Sequence, residues 1–301
     1  MHNYSANAKG IYCFILFAAL GISAAAAQGE QLYFVDSSGH CTYQTGAQID
    51  AAFRACVQTP SGWQPVDKAA IWSTAPEAKT FVFVHGNMTD RHGAMEDAAL
   101  IRSYLNGAYA DKNYKLVIWF WDSARTRLPL RQDAINSERR SMWEGFYLAR
   151  FLQSAPSEAR IGLIGYSFGA NTVLGACQLI ASGSVFGQTA PGASGQMDAI
   201  LIAPAVPSAA FLTGTNGWGK SLDVLSRCDV TLNEADSALK WYRFVAPDGQ
   251  SEAMGRAGVA GVPLAQQGKV FFYNVTCQVG HTHALNEYLT KSGVFYTFIT
   301  R

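Results

Sequence analysis

Ser167 sits inside Gly165-Tyr166-Ser167-Phe168-Gly169, a GxSxG pentapeptide. A serine between two glycines is the pattern of an acyl-transfer nucleophile, but in a glycine-rich chain so short a match also arises by chance. Its flanks give it meaning. Ile161-Gly162-Leu163-Ile164 before it has the pattern of a buried strand, and Ala170-Asn171-Thr172-Val173-Leu174 after it opens a helix. A serine on so tight a strand-to-helix turn is pushed outward above the sheet edge, where its hydroxyl can attack a carbonyl. A glycine-rich turn with a hydroxyl satisfying the backbone is the plainer alternative. Phe81-Val82-Phe83-Val84 likewise runs straight into His85-Gly86-Asn87. Acyl transfer needs N–H donors for the developing oxyanion, one just after the nucleophile and one from the loop after an earlier strand. Phe168 and Asn87 are the candidates, with Met88 as the fallback for Asn87. His85 precedes the nucleophile and reads better as a brace for its loop than as a catalytic base.

With these three features in place, the chain resembles the α/β-hydrolase superfamily, and more narrowly poorly characterised bacterial families with a His-Gly turn, a Trp-x-Ser turn and a late Asp and His. Trp121-Asp122-Ser123 stands where those families have Trp-Pro-Ser. The resemblance covers residues 80–301. It implies a mainly parallel central sheet with helices on both faces, and a triad in the order nucleophile, acid, base. The acid is then expected after the next-but-one strand, at Asp236. Glu234 is its rival, Asp229 lies at the wrong end of the strand, and a helix N-terminal aspartate is the structural alternative for Asp236. The base is expected in Gly280-His281-Thr282-His283, and the Gly-His step favours His281, with His283 as the alternative. A His-x-His pair could also ligate a metal, but the neighbouring Asp-His cluster of a metallohydrolase is missing, so neither a metal nor any other cofactor is expected.

The elements that must position these residues follow from hydrophobic periodicity. Strands are predicted at Thr80–Val84, Leu116–Phe120, Ile161–Ile164, Ala199–Ile202, Val230–Leu232 and Val270–Thr276, with a leading strand at Leu32–Val35. Helices are predicted near Ala94–Asn106, Ser137–Leu152, Ala170–Ala181, Ala238–Phe244 and Ala284–Lys291. Residues 28–79 are more polar and read as N-terminal strands and a cysteine loop joined to the core. Pro204–Ser226 is too short for a large cap domain. It suggests an open cleft bordered by Phe211 or Trp218 that favours short or medium acyl chains.

Composition sets the outer bounds. At 49% hydrophobic and 15% charged residues the 301-residue chain is a folded globule, and a formal charge of +1 argues against a nucleic-acid partner. Arg125, Arg127, Arg131, Arg139 and Arg140 form a basic cluster that reads as a solvated face before it reads as an anion site. Lys9, the apolar run Ile11–Ile22 and Ala25-Ala26-Ala27 read as a signal peptide over residues 1–27, with an uncleaved anchor as the alternative. The mature chain is thus expected to be exported, periplasmic or extracellular, without stable membrane insertion. Export permits disulfides. Cys41–Cys56 is the favoured pair and Cys228–Cys277 the weaker one, with Cys177 a buried thiol. The expected activity is a serine hydrolase cleaving a carboxylic ester of a small molecule or lipid through an acyl-enzyme. A non-catalytic binding protein on the same fold is the alternative.

Overall fold

A computed structural model describes residues 30–38, 53–110, 112–185, 188–189, 196–212 and 218–301. The strands are β1 Glu30–Asp36, β2 Arg54–Thr59, β3 Gly62–Val66, β4 Lys79–Val84, β5 Tyr114–Phe120, β6 Arg160–Tyr166, β7 Ser184–Val185, β8 Gln188–Thr189, β9 Gln196–Ile202, β10 Leu225–Leu232 and β11 Val270–Asn274. Nine of them form one sheet in the order β11-β10-β9-β6-β4-β5-β1-β2-β3, and β7 and β8 pair apart as a short ribbon. Every pair from β1 through β5, β4, β6, β9 and β10 to β11 is parallel, and only the β2–β3 end is antiparallel.

Burial explains why these strands are parallel and central. All positions of β4 and β5 are buried, the mark of strands covered on both faces. The crossovers then decide which helix covers which face. The chain steps outward from β4 to β5 through the helix α2, Arg91–Ala108, and turns back over β4 to reach β6 through α3, Leu130–Leu152. Right-handed crossovers in opposite directions place α2 and α3 on opposite faces. The step from β6 to β9 continues in the second direction, so α4, Phe168–Ser182, packs beside α3. On the other face α2 meets α5, Leu285–Ser292, and α6, Val294–Ile299. A short helix α1, Lys68–Ser73, leans on α3 through the ring pair Trp72–Phe151. This is the α/β-hydrolase fold, with no large cap domain among the described residues. No described helix is long and apolar enough to cross a membrane.

Register brings the chemistry to one edge. Val84 lies opposite Gly165, and Tyr166 opposite Ile202. The ends of β4, β6 and β9 therefore finish side by side, and so do the turns that follow them.

The N-terminal segment through residue 29, including the expected signal peptide, lies outside the described residues, as does Cys41 of the favoured disulfide. The weaker pairing is corrected. Cys228 starts its ladder opposite Val270 at one end of β11, and Cys277 follows after β11 has carried the chain to the other end. Cys228 is buried and Cys277 exposed, and neither forms a disulfide. Bridging would need Cα atoms within about 7 Å.

Candidate active site

Ser167 occupies the turn between β6 and α4 with φ 53° and ψ −120°, left-handed backbone that a residue with a Cβ adopts at a cost of roughly 1–3 kcal/mol. The surrounding packing holds it there. Its N–H donates to the Ile202 carbonyl at 3.0 Å, and its own carbonyl accepts from Ala170 at 3.1 Å and Ala205 at 3.2 Å. The flanking glycines are required by close approach. A Cβ on Gly165 would stand 2.7 Å from the Ala170 Cα, and one on Gly169 only 2.1 Å from the Val84 carbonyl oxygen. No side chain fits between strand and helix at either place.

The Ser167 Oγ meets His283, whose Nε2 lies 2.9 Å away. The Nδ1–H of the same ring donates to Asp236 Oδ2 at 2.7 Å. A carboxylate only accepts, so this bond places the ring proton on Nδ1 and leaves the Nε2 lone pair facing the serine. Asp236 has further donors. Oδ1 accepts from the N–H groups of Ala238 and Leu239, each at 3.0 Å, and Oδ2 from the Tyr288 hydroxyl at 2.7 Å. Burial pushes this carboxyl upward, but the His283 bond and charge, the Leu239 N–H and Tyr288 together outweigh it and hold Asp236 below the ordinary aspartate value. The capping role of Asp236 and its bond to the histidine are therefore compatible, because different oxygens carry them.

Of the two candidate histidines, the structure joins His283 to Ser167 and leaves the favoured His281 apart. Asn233 Nδ2 donates to the Gly280 carbonyl at 2.8 Å and Ser237 N–H to the His281 carbonyl at 3.1 Å, which turns the His281 ring outward. That ring is exposed, with Nδ1 3.2 Å from the Ala235 carbonyl. Two residues on, the Tyr166 hydroxyl donates to the His283 carbonyl at 2.5 Å and the Tyr166 ring stacks on the imidazole at 5.5 Å. Neither rival acid reaches the site. Glu234 is exposed and accepts from Asn274, and Asp229 is buried between Arg227 and Arg301.

The His-Gly turn lies against the serine: a Cβ on Gly86 would come within 3.1 Å of the Ser167 Cβ. Two clamps hold the turn. Ser123 Oγ lies 3.0 Å from the Gly86 carbonyl and 3.1 Å from that of Thr89, and the Ser123 carbonyl accepts the Met88 N–H at 2.9 Å. The fallback donor is thereby engaged elsewhere. His85 is fully buried; its Nε2 accepts the Trp121 N–H at 3.2 Å and its Nδ1–H donates to the Gly86 carbonyl at 2.9 Å. Burial drives its pKa down to about 4 against the pull of those bonds, so it is a neutral brace. Asn87 follows directly, and the Phe168 N–H opens α4, where first-turn N–H groups lack helical partners.

Phe211 and Trp218 do not border a cleft. Both are buried, and the Trp218 indole donates to Asn171 Oδ1 on α4 at 2.8 Å. Exposed aromatic side chains stand instead at Trp241 and Phe244, on the 3-10 turn Leu239–Phe244 that follows Asp236. The supporting roles of Tyr166 and Tyr288 carried no sequence signal, since nothing in their spacing separates them from core tyrosines. Among the described residues, no group of three His, Cys, Asp or Glu side chains is gathered to hold a metal ion.

No family model and no curated protein sequence matches the chain. Solved structures with a similar course include a lipase-esterase related protein from Clostridium acetobutylicum ATCC 824, at 10% identity and TM-score 0.34 over 73% of this chain and 91% of that one. Another is C6-C4 SN3 inhibited esterase B from Lactobacillus rhamnosis, at 11% identity and TM-score 0.36 over 88% of this chain and 84% of that one.

Proposed function

We propose that the chain is a serine hydrolase that cleaves a carboxylic ester of a small molecule or lipid through an acyl-enzyme. One observation carries this reading: Ser167, His283 and Asp236 are linked by hydrogen bonds of 2.9 and 2.7 Å, with the serine on a strained elbow. In the proposed reaction, Ser167 Oγ attacks the ester carbonyl carbon as His283 Nε2 takes its proton. The oxyanion receives the N–H groups of Asn87 and Phe168. The imidazolium, steadied by ionised Asp236, then gives the proton to the departing alcohol oxygen, leaving the acyl group on Ser167. Water attacks that ester with His283 again taking a proton, His283 returns it to Ser167 Oγ as the acyl bond breaks, and the carboxylic acid leaves. Hydrolysis of p-nitrophenyl acetate tests this. The expected result is a burst of p-nitrophenol of about one equivalent per chain where deacylation is slow, or steady turnover where it is fast. A folded chain that releases none opposes the reading.

Residues 1–27 are proposed to direct export and to be removed. N-terminal sequencing of the exported protein is expected to start at Gln28, and a start upstream of it would favour the anchor.

A further inference from the structure

Two segments at the serine end of the sheet alternate cations with apolar side chains. Residues 125–131 read Arg-Thr-Arg-Leu-Pro-Leu-Arg, and residues 240–244 read Lys-Trp-Tyr-Arg-Phe. They adjoin: Arg131 Nε donates to the Phe244 carbonyl at 3.1 Å. The first segment follows Ser123, which clamps the His-Gly turn. The second begins on the Asp236 cap, and its Tyr242 ring lies 6.4 Å from that of Phe168. Both therefore lie at the end of the sheet where the Ser167 turn stands.

What they present to solvent is unusual for the molecule. Ten large apolar side chains are exposed among the described residues, and four lie on these two segments: Leu128, Leu130, Trp241 and Phe244. Trp241 is 63% and Leu130 56% exposed, and the rings of Trp241 and Phe244 pack against each other at 5.6 Å. The cations are as concentrated. Arg125, Arg127, Arg131, Lys240 and Arg243 are all exposed, no carboxylate interrupts either segment, and none of the five enters a salt bridge among the described residues. Arg243 lies over the Phe244 ring at 4.8 Å. On a chain whose overall formal charge is only +1, these five cations make a local excess of positive charge laid over apolar groups.

We propose that this face docks on an anionic lipid bilayer. Trp241, Phe244, Leu128 and Leu130 enter the headgroup boundary while the arginines and Lys240 lie among the lipid phosphates, which turns the end of the sheet that carries Ser167 toward the membrane. A soluble polyanion needs the cations but leaves four apolar side chains unused. A zwitterionic surface leaves the cations unused. An anionic bilayer takes both. Docking goes beyond the proposed hydrolysis and does not depend on it.

Co-sedimentation of the full chain carrying Ser167→Ala isolates docking from turnover. The probes are phosphatidylcholine vesicles with and without phosphatidylglycerol. Binding is expected only with phosphatidylglycerol and is expected to weaken with salt. Arg125→Gln and Arg127→Gln should each lower partitioning about fivefold. Trp241→Ser with Phe244→Ser should lower it further at unchanged melting temperature. Equal binding to both vesicles, or variants that sediment like the parent, would overturn docking. So would loss of binding in the arginine variants alone combined with full displacement by dextran sulfate, since that describes a site for charge without a bilayer.

Discussion

His283 Nε2 stands 2.9 Å from the Oγ of Ser167, across 116 residues of sequence. His281, two residues earlier, points to solvent. The two histidines share a loop and differ only in which way the pinned backbone turns them. His283→Ala should therefore lower kcat/KM for an activated ester by roughly 10³-fold or more, while His281→Ala stays within about threefold of the parent. Steady-state kinetics on both variants decides it, and the reverse ranking would return the base to His281.

Asp236 should matter through the ring it holds. Asp236→Asn keeps the size but can offer a donor where Nδ1–H needs an acceptor, and the wrong tautomer should cost about 10⁴-fold in kcat. Tyr288→Phe removes one donor to Oδ2 and leaves the His283 bond in place. A loss nearer tenfold in kcat with little change in KM is expected there. Comparable losses in the two variants would mean that Tyr288 does more than steady the carboxylate.

The elbow glycines predict a stability contrast. Gly169→Ala forces a Cβ to 2.1 Å from the Val84 carbonyl oxygen, so thermal unfolding should show a loss of about 3 kcal/mol or more. Gly107, in the last turn of α2, has nothing within 4 Å of an added Cβ. Gly107→Ala should stabilise by roughly 0.5–1 kcal/mol. Equal, small effects at both positions would contradict the close approach of α4 to β4.

Glu144 gives a pH signature. Its buried carboxyl is pushed up to about 8 by burial, against the bonds from Ser37 and Trp119. An unfolded glutamate ionises near 4.3. Between those values the folded chain binds the extra proton, so the stability this group contributes is complete below the lower value and is lost as pH rises through about 8. The slope is at most about 1.4 kcal/mol per pH unit. Glu144→Gln should flatten it in urea titrations at successive pH values; an unchanged profile would assign the slope to other groups.

Acyl-length preference remains testable without Phe211 or Trp218. With no large cap among the described residues, short and medium p-nitrophenyl esters are the expected best substrates. Activity that rises steadily to long chains would call for a covering element over Ser167 instead.

Much of this site was legible because steric necessity leaves a mark on sequence. Gly165 and Gly169 are glycines since strand and helix touch there, and a reader of the sequence sees the result of that contact. Asp236 was legible from chain order. The choice between His281 and His283 was not, because it depends on the bonds from Asn233, Ser237 and Tyr166 to the loop backbone, and these arise only after folding. The buried strands were found because their continuous apolar runs reflect two covered faces. Strands were expected within residues 28–79, but the bounds of the β2–β3 hairpin carry no signal, since its residues are mostly half-exposed and mark no face. Phe211 and Trp218 were placed at a cleft by loop length alone, which says nothing about burial.

The most direct test of the central claim is labelling of the folded chain with a fluorophosphonate, followed by peptide mapping. The mechanism predicts a single adduct on Ser167 that is absent from Ser167→Ala and slowed greatly in His283→Ala. Undiminished labelling of Ser167→Ala, or a well-folded wild-type chain that takes no label, would contradict it.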